Sequence, residues 1–158
     1  MNEKSWSPAS LSDDHRLVAL DANVLIYVLE GSEEFGARAR AVVDALDDGV
    51  LTASMATVGQ VEILAGPARI GDASVFERTA DEMRSLGINL VPLTTAVAED
   101  AAWLRGQGGL DLADAIHVAS ARAAGATALI TNDRRIRART GLEVLYLDDL
   151  TLEDEPLP

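Results

Sequence analysis

Residues His15–Gly31 read HRLVALDANVLIYVLEG, and the place given to Asp21 in that stretch decides the fold. "RLVAL" is a short continuous apolar run, suited to a strand buried on both faces, and "ANVLIYVLEG" has the length of a helix closed by a glycine. A strand that passes into a helix through a single acid opens a βα unit. The alternation continues: helix "EEFGARARAVVDALDDG", strand "VLTASM", helices "TVGQVEILAG" and "ASVFERTADEMRSLG", strand "INLVPL", helices "TAVAEDAAWLRGQGG" and "LADAIHVASARAAGA", strands "ALIT" and "EVLYL". Gly31, Gly49, Gly66, Gly87 and Gly125 sit where helices should end, and Asp111 sits where one should be capped. Short strands separated by helices pair in parallel through crossovers. The fold expected is therefore α/β, a three-layer α/β/α sandwich with a central parallel sheet. Residues 1–15 read as a flexible leader, 16–148 as the domain and 149–158 as an acidic tail, both ends more solvated than packed.

The composition narrows the chemistry. A chain of 158 residues buries roughly 70% of its unfolded surface, enough for one core without staples. There are no cysteines, which excludes disulfides, thiolate nucleophiles and Cys-based zinc sites. The only histidines are His15 and His117, so a multi-His metal site is excluded too, and any metal would be held by oxygen. The polar start has no signal-like apolar stretch and no later run is long enough to span a bilayer, so a cytoplasmic protein without membrane contact is expected. A net charge of -13 argues against a broad basic grip on nucleic acid, though a local patch can override the total.

The acids then stand out by position. Asp21 follows "LVAL" and Asp133 follows "ALIT", so both belong at the carboxyl ends of strands, where sites of parallel sheets gather. Either could simply cap the helix after it. Asp114 lies in the first turn of an Ala-rich helix, favoured there by the dipole, while Asp111 three residues earlier reads as that helix's N-cap or as an additional ligand. His117, one turn beyond Asp114, reads as packed or bonded to a neighbour. Glu62 interrupts an otherwise apolar helix and needs a partner or water. Asp21, Glu62, Asp114 and Asp133, gathered at one rim, would repel one another, and Mg²⁺ or Mn²⁺ would remove the conflict. Such an ion supports phosphodiester cleavage. Arg134, Arg135, Arg137 and Arg139 form the densest basic run, either a solvated helical face or a contact to RNA backbone.

Together these stretches resemble a PIN domain, and more narrowly the VapC-like ribonuclease toxins of toxin–antitoxin pairs. "LDANVLIYVLEG" resembles the opening strand, acid and helix, "EILAG" the segment of the second acid, "LADAIHVASA" that of the third and "LITND" that of the fourth, across about residues 16–148. The resemblance implies Mg²⁺- or Mn²⁺-dependent cleavage of RNA, frequent homodimerisation, and a small VapB-like antitoxin whose C-terminal segment lies over the acidic pocket. By position it assigns Asp21, Glu62, Asp114 and Asp133 as the metal-binding quartet and Asn23 and Thr131 as polar neighbours that orient acids or waters. One position departs: many relatives carry Ser or Thr three residues before the second acid, where this chain has Gly59.

Other classes compete for the same acids. A phosphoryl-accepting receiver would resemble this pattern but requires a rim Lys, and the only Lys is Lys4. A phosphatase of the haloacid dehalogenase type would carry a second Asp at position 23, which is Asn. A stand-alone PIN nuclease without antitoxin, and a PIN-like module that binds without catalysis, remain as alternatives.

Overall fold

A computed structural model describes residues 5–137 and 140–152. In chain order the helices are α1 (Pro8–Asp14), α2 (Ala22–Leu29), α3 (Gly36–Asp47), α4 (Thr57–Ile70), α5 (Ala73–Ser85), α6 (Thr95–Gly108) and α7 (Leu112–Ala124). The strands are β1 (Val18–Leu20), β2 (Ala53–Ala56), β3 (Asn89–Val91), β4 (Ala128–Thr131) and β5 (Glu143–Tyr146). They form one five-stranded sheet in the order β3-β2-β1-β4-β5, and every pairing is parallel.

The apolar runs are continuous because both faces of the sheet are covered. Val18, Leu20, Met55 and Ile130 pack on one side with Leu11 of α1, Val24 and Leu25 of α2, Val42 of α3, Ile63 of α4 and Met83 of α5. Ala19 and Leu129, the alternate residues of the same strands, pack on the other with Val97 and Leu104 of α6 and Ala115 and Val118 of α7. The α/β/α sandwich expected from the sequence is the fold observed. Among the described residues no helix is long and apolar enough to cross a membrane.

The chain runs from β1 through β2 to β3 at one edge, then returns across β1 to build β4 and β5 on its far side. That reversal leaves a crevice at the carboxyl ends of β1 and β4, where adjoining connections diverge to opposite sides. Asp21 and Asp133 follow those two strands.

Three details differ from the sequence reading. Residues 5–14 pack rather than forming a solvated leader: Trp6 and Leu11 are buried, at 5% and 3% exposure. The Trp6 indole N–H donates to the Tyr146 carbonyl at 2.9 Å, and Trp6 bridges in parallel to Leu150, itself buried at the start of the expected tail. Two isolated apolar residues in a polar segment are enough to dock it, and Ser7 with Ser10 forms a capping box that starts α1. Second, Gly66 does not end α4. The helix passes Pro67, forgoing the bond its missing N–H would make, and stops at Gly71, whose φ of +75° is the left-handed cap. Third, the described arginine segment after β4 is a turn anchored by the fully buried Ile136 and not a helical face.

Candidate active site

Asp21 caps α2, its Oδ1 accepting the Asn23 backbone N–H at 3.4 Å. Cap and site member are therefore the same residue. Its backbone N–H donates to the Ile130 carbonyl at 2.9 Å, extending the β1–β4 ladder, and its Oδ2 accepts the Thr131 hydroxyl at 2.7 Å. Thr131 is fully buried, and its Oγ1 also accepts the Asp133 backbone N–H at 3.0 Å. One hydroxyl thus ties together the two acids that end β1 and β4.

From the other layer, α7 is started by Asp111, whose Oδ1 accepts the Asp114 N–H at 3.0 Å. Asp114 and His117 are three residues apart on a helix and share a face. Both are buried, Asp114 at 7% exposure and His117 at 2%. The His117 Nε2 lies 2.8 Å from Glu62 Oε2 and 3.7 Å from Asp21 Oδ1. One ligand-type atom from each of Asp21, Glu62 and His117 lies within 4.8 Å of the others.

Arg135 completes the cluster. Its guanidinium binds Asp133 at 2.6 Å and also reaches Asp111 at 3.3 Å and Asp114 at 3.6 Å. Arg134 is engaged elsewhere, against Asp149 at 3.2 Å and over the Tyr146 ring. Arg137 lies exposed beyond the turn, and Arg139 is outside the described residues.

The electrostatics follow from this packing. Burial, then the neighbouring Asp111, Asp133 and Asp21, push the Asp114 carboxyl up to about 6, against a smaller opposing effect of Arg135. The hydrogen bond from Arg135 holds Asp133 below its ordinary value, and Asp133 raises Arg135 in return. Burial disfavours a charged His117, but its bond to Glu62 and the charges of Asp21, Glu62 and Asp114 outweigh this and raise it. These acids therefore face too few cations, and a divalent ion fits the shortage. The Oδ2 of Asp114 is buried with no hydrogen-bond partner, Arg135 standing 3.6 Å away, and beside it Asp21 and Glu62 offer carboxylate oxygens that suit a hard ion, with the His117 nitrogen in the same group.

A pH prediction follows. A carboxyl raised to about 6 binds its proton more tightly folded than unfolded, so its contribution to stability is present at acid pH and is lost as pH rises through about 6. A bound divalent ion opposes that loss. Thermal unfolding should show a larger Mg²⁺-induced rise in Tm at about pH 8 than at about pH 5, and equal rises would contradict it.

Of the four expected acids, Asp21 and Glu62 come together with His117, whereas Asp133 joins Asp21 only through Thr131 and Asp114 only through Arg135; Asp111 is a cap that also meets Arg135. Asn23 lies beside Asp21 with its side-chain Oδ1 buried and unpartnered. Sequence reasoning placed His117 beside a neighbour without assigning it to the site. It also grouped Arg135 with the surface arginines, though its spacing of two residues from Asp133 was a usable signal for an ion pair.

Residues 18–142 match the PIN domain family. This chain belongs to the PIN domain family. It is similar in structure to a toxin-antitoxin complex from Klebsiella pneumoniae, at 23% identity and a TM-score of 0.64 over 82% of this chain and 97% of that one. Two further similar structures are VapBC2 from Rickettsia felis bound to a DNA fragment from their promoter (16%, TM-score 0.63, 82% and 98%) and FitAcB from Neisseria gonorrhoeae (18%, TM-score 0.63, 82% and 97%). At these identities the likeness speaks for the fold. No curated protein sequence is similar enough to this chain to count as a match.

Proposed function

We propose that this chain is a metal-dependent endoribonuclease that cleaves RNA phosphodiester bonds in the cytoplasm as the VapC-like toxin of a toxin–antitoxin pair. The observation that carries the reading is the grouping of Asp21, Glu62 and His117, to which Thr131 links Asp133 and Arg135 links Asp133 with Asp114. Asp21 is a buried carboxylate held by its cap and the Thr131 hydroxyl, and Asp114 is a buried carboxylate carried on the first turn of α7 with its Oδ2 left open to an Mg²⁺ or Mn²⁺ ion. An ion held there would supply activation of water and neutralise charge on the phosphodiester. Glu62 and Asp133 close the site from α4 and from the end of β4. Arg135 balances the acids without the ion and would turn to an RNA phosphate once displaced.

The partner is proposed to be a VapB-like antitoxin, in keeping with the complexes to which the fold is similar. A net charge of -13 favours a basic segment over the acids, and a groove lined by Ile26, Leu29, Ile63, Pro67 and Ile70 opens beside Glu62 to take its apolar side chains. Homodimerisation belongs to the same reading on the family resemblance alone.

Sequencing RNA ends after brief induction, wild type against Asp21→Asn, tests the activity and finds the target together. Ends shared equally by both would end the nuclease reading. Arg135→Ala should tighten Mn²⁺ binding several-fold by calorimetry, because a competing cation leaves, while raising KM for RNA. An unchanged Mn²⁺ affinity would show that the guanidinium does not compete.

A further inference from the structure

We infer that His117 is a positioning residue: it donates its Nε2–H to Glu62 and holds that carboxylate beside Asp21, without itself being a metal ligand. The inference rests on the metal-site reading above and deepens it.

Glu62 is the one member of the quartet whose placement needs help. Asp21 is fixed by the Thr131 hydroxyl and its cap, Asp133 by its turn and Arg135, and Asp114 by the first turn of α7. The Glu62 side chain is 37% exposed on α4 and has three rotatable torsions, so without a fixed partner it would sample solvent. The partner provided is rigid, because His117 is 2% exposed and locked in the α7 core. Its Nε2 meets Glu62 Oε2 at 2.8 Å, a good length for a charge-assisted bond.

The proton arrangement separates positioning from ligation. A His that binds a metal through Nε2 must carry its proton on Nδ1, and such a ligand usually donates that proton to an acceptor. Here Nδ1 is buried with no partner, so the Nε2–H form is favoured and the ring is a donor toward Glu62. The backbone is also adapted to this ring. A Cβ at position 59 would lie 3.0 Å from His117 Cε1 and 3.0 Å from Met55 Cγ and Sδ, so Gly59 leaves the imidazole room against α4 that a side chain would take only by shifting the ring or Met55 by a few tenths of an ångström. The departure noted at position 59 and the histidine at 117 are two sides of one contact.

The test uses the full chain with Mn²⁺ alone as probe. His117→Leu should weaken Mn²⁺ binding by roughly 10- to 100-fold, Glu62→Ala by a similar factor, and the double variant by no more than the larger single loss. His117→Gln, which keeps a donor near the Nε2 position, should recover most of the affinity. In wild type, ¹⁵N spectra of the folded, metal-free protein should show a protected histidine Nε2–H whose shift changes in Glu62→Ala. Wild-type affinity in a folded His117→Leu, or an Nδ1–H, Nε2-unprotonated tautomer assigned to His117, overturns the inference while leaving the nuclease reading standing. Histidine nitrogen coupling in the Mn²⁺ electron spin-echo spectrum overturns it in favour of ligation. A wild-type protein that binds no divalent ion overturns the metal site itself. Should His117→Leu not fold, the wild-type tautomer and the His117→Gln titration decide the matter.

Discussion

Asp21→Asn is expected to lower RNA cleavage by roughly 10³-fold, equivalent to about 4 kcal/mol of transition-state stabilisation, with the fold left intact. The substitution removes a charge and little else. Asn is as good an N-cap as Asp, so α2 keeps its start, and an amide oxygen can still accept the Thr131 hydroxyl. What disappears is one buried negative charge of the proposed metal site. Cleavage of a defined RNA, with Mn²⁺ titration and thermal unfolding on the same sample, separates these effects. A variant that melts with wild type, binds Mn²⁺ as tightly and cuts as fast would falsify the assignment of Asp21.

The second large effect is on stability. Thr131→Val keeps the side-chain shape but removes the hydroxyl that donates to Asp21 and accepts from the Asp133 backbone. Two polar groups then lose their partner beside a fully buried position, at a cost of about 2 kcal/mol. The urea midpoint should fall with the slope unchanged, and Mn²⁺ affinity should fall with it. Thr131→Ser restores the hydroxyl and should recover the affinity, because it lacks only a methyl group. Were Thr131→Val to unfold at the wild-type midpoint, the tie between the two strand ends would carry no weight.

The central strands β1, β2 and β4 were legible because they are buried on both faces, and the helices because glycines such as Gly31, Gly87 and Gly125 end them in the left-handed region. Asp21 was legible for the opposite reason, as a carboxylate where the pattern called for apolar residues. The terminal segments misled because mean polarity hides single anchors, and Trp6 and Leu11 are two apolar residues among mostly polar ones. Gly66 misled because a glycine marks a helix end only where φ turns positive, and here that happens at Gly71. Arg135 and His117 were the hardest to place. The three carboxylates around the guanidinium and the pairing of His117 with Glu62 depend on how α4, α7 and the turn after β4 meet, which no local spacing encodes.

The hydroxyl bond between Thr131 and Asp21 spans 110 residues of sequence. Its loop closes late, because a parallel strand pair of such separation gains nothing until most of the chain between is ordered. A nascent chain that has reached β3 already carries Asp21 and Glu62, yet has neither α7 nor β4 to oppose them. The acids of the two halves therefore face one another only after α7 and β4 have been made, and a chain stopped at β3 holds half of the proposed site with nothing opposite it.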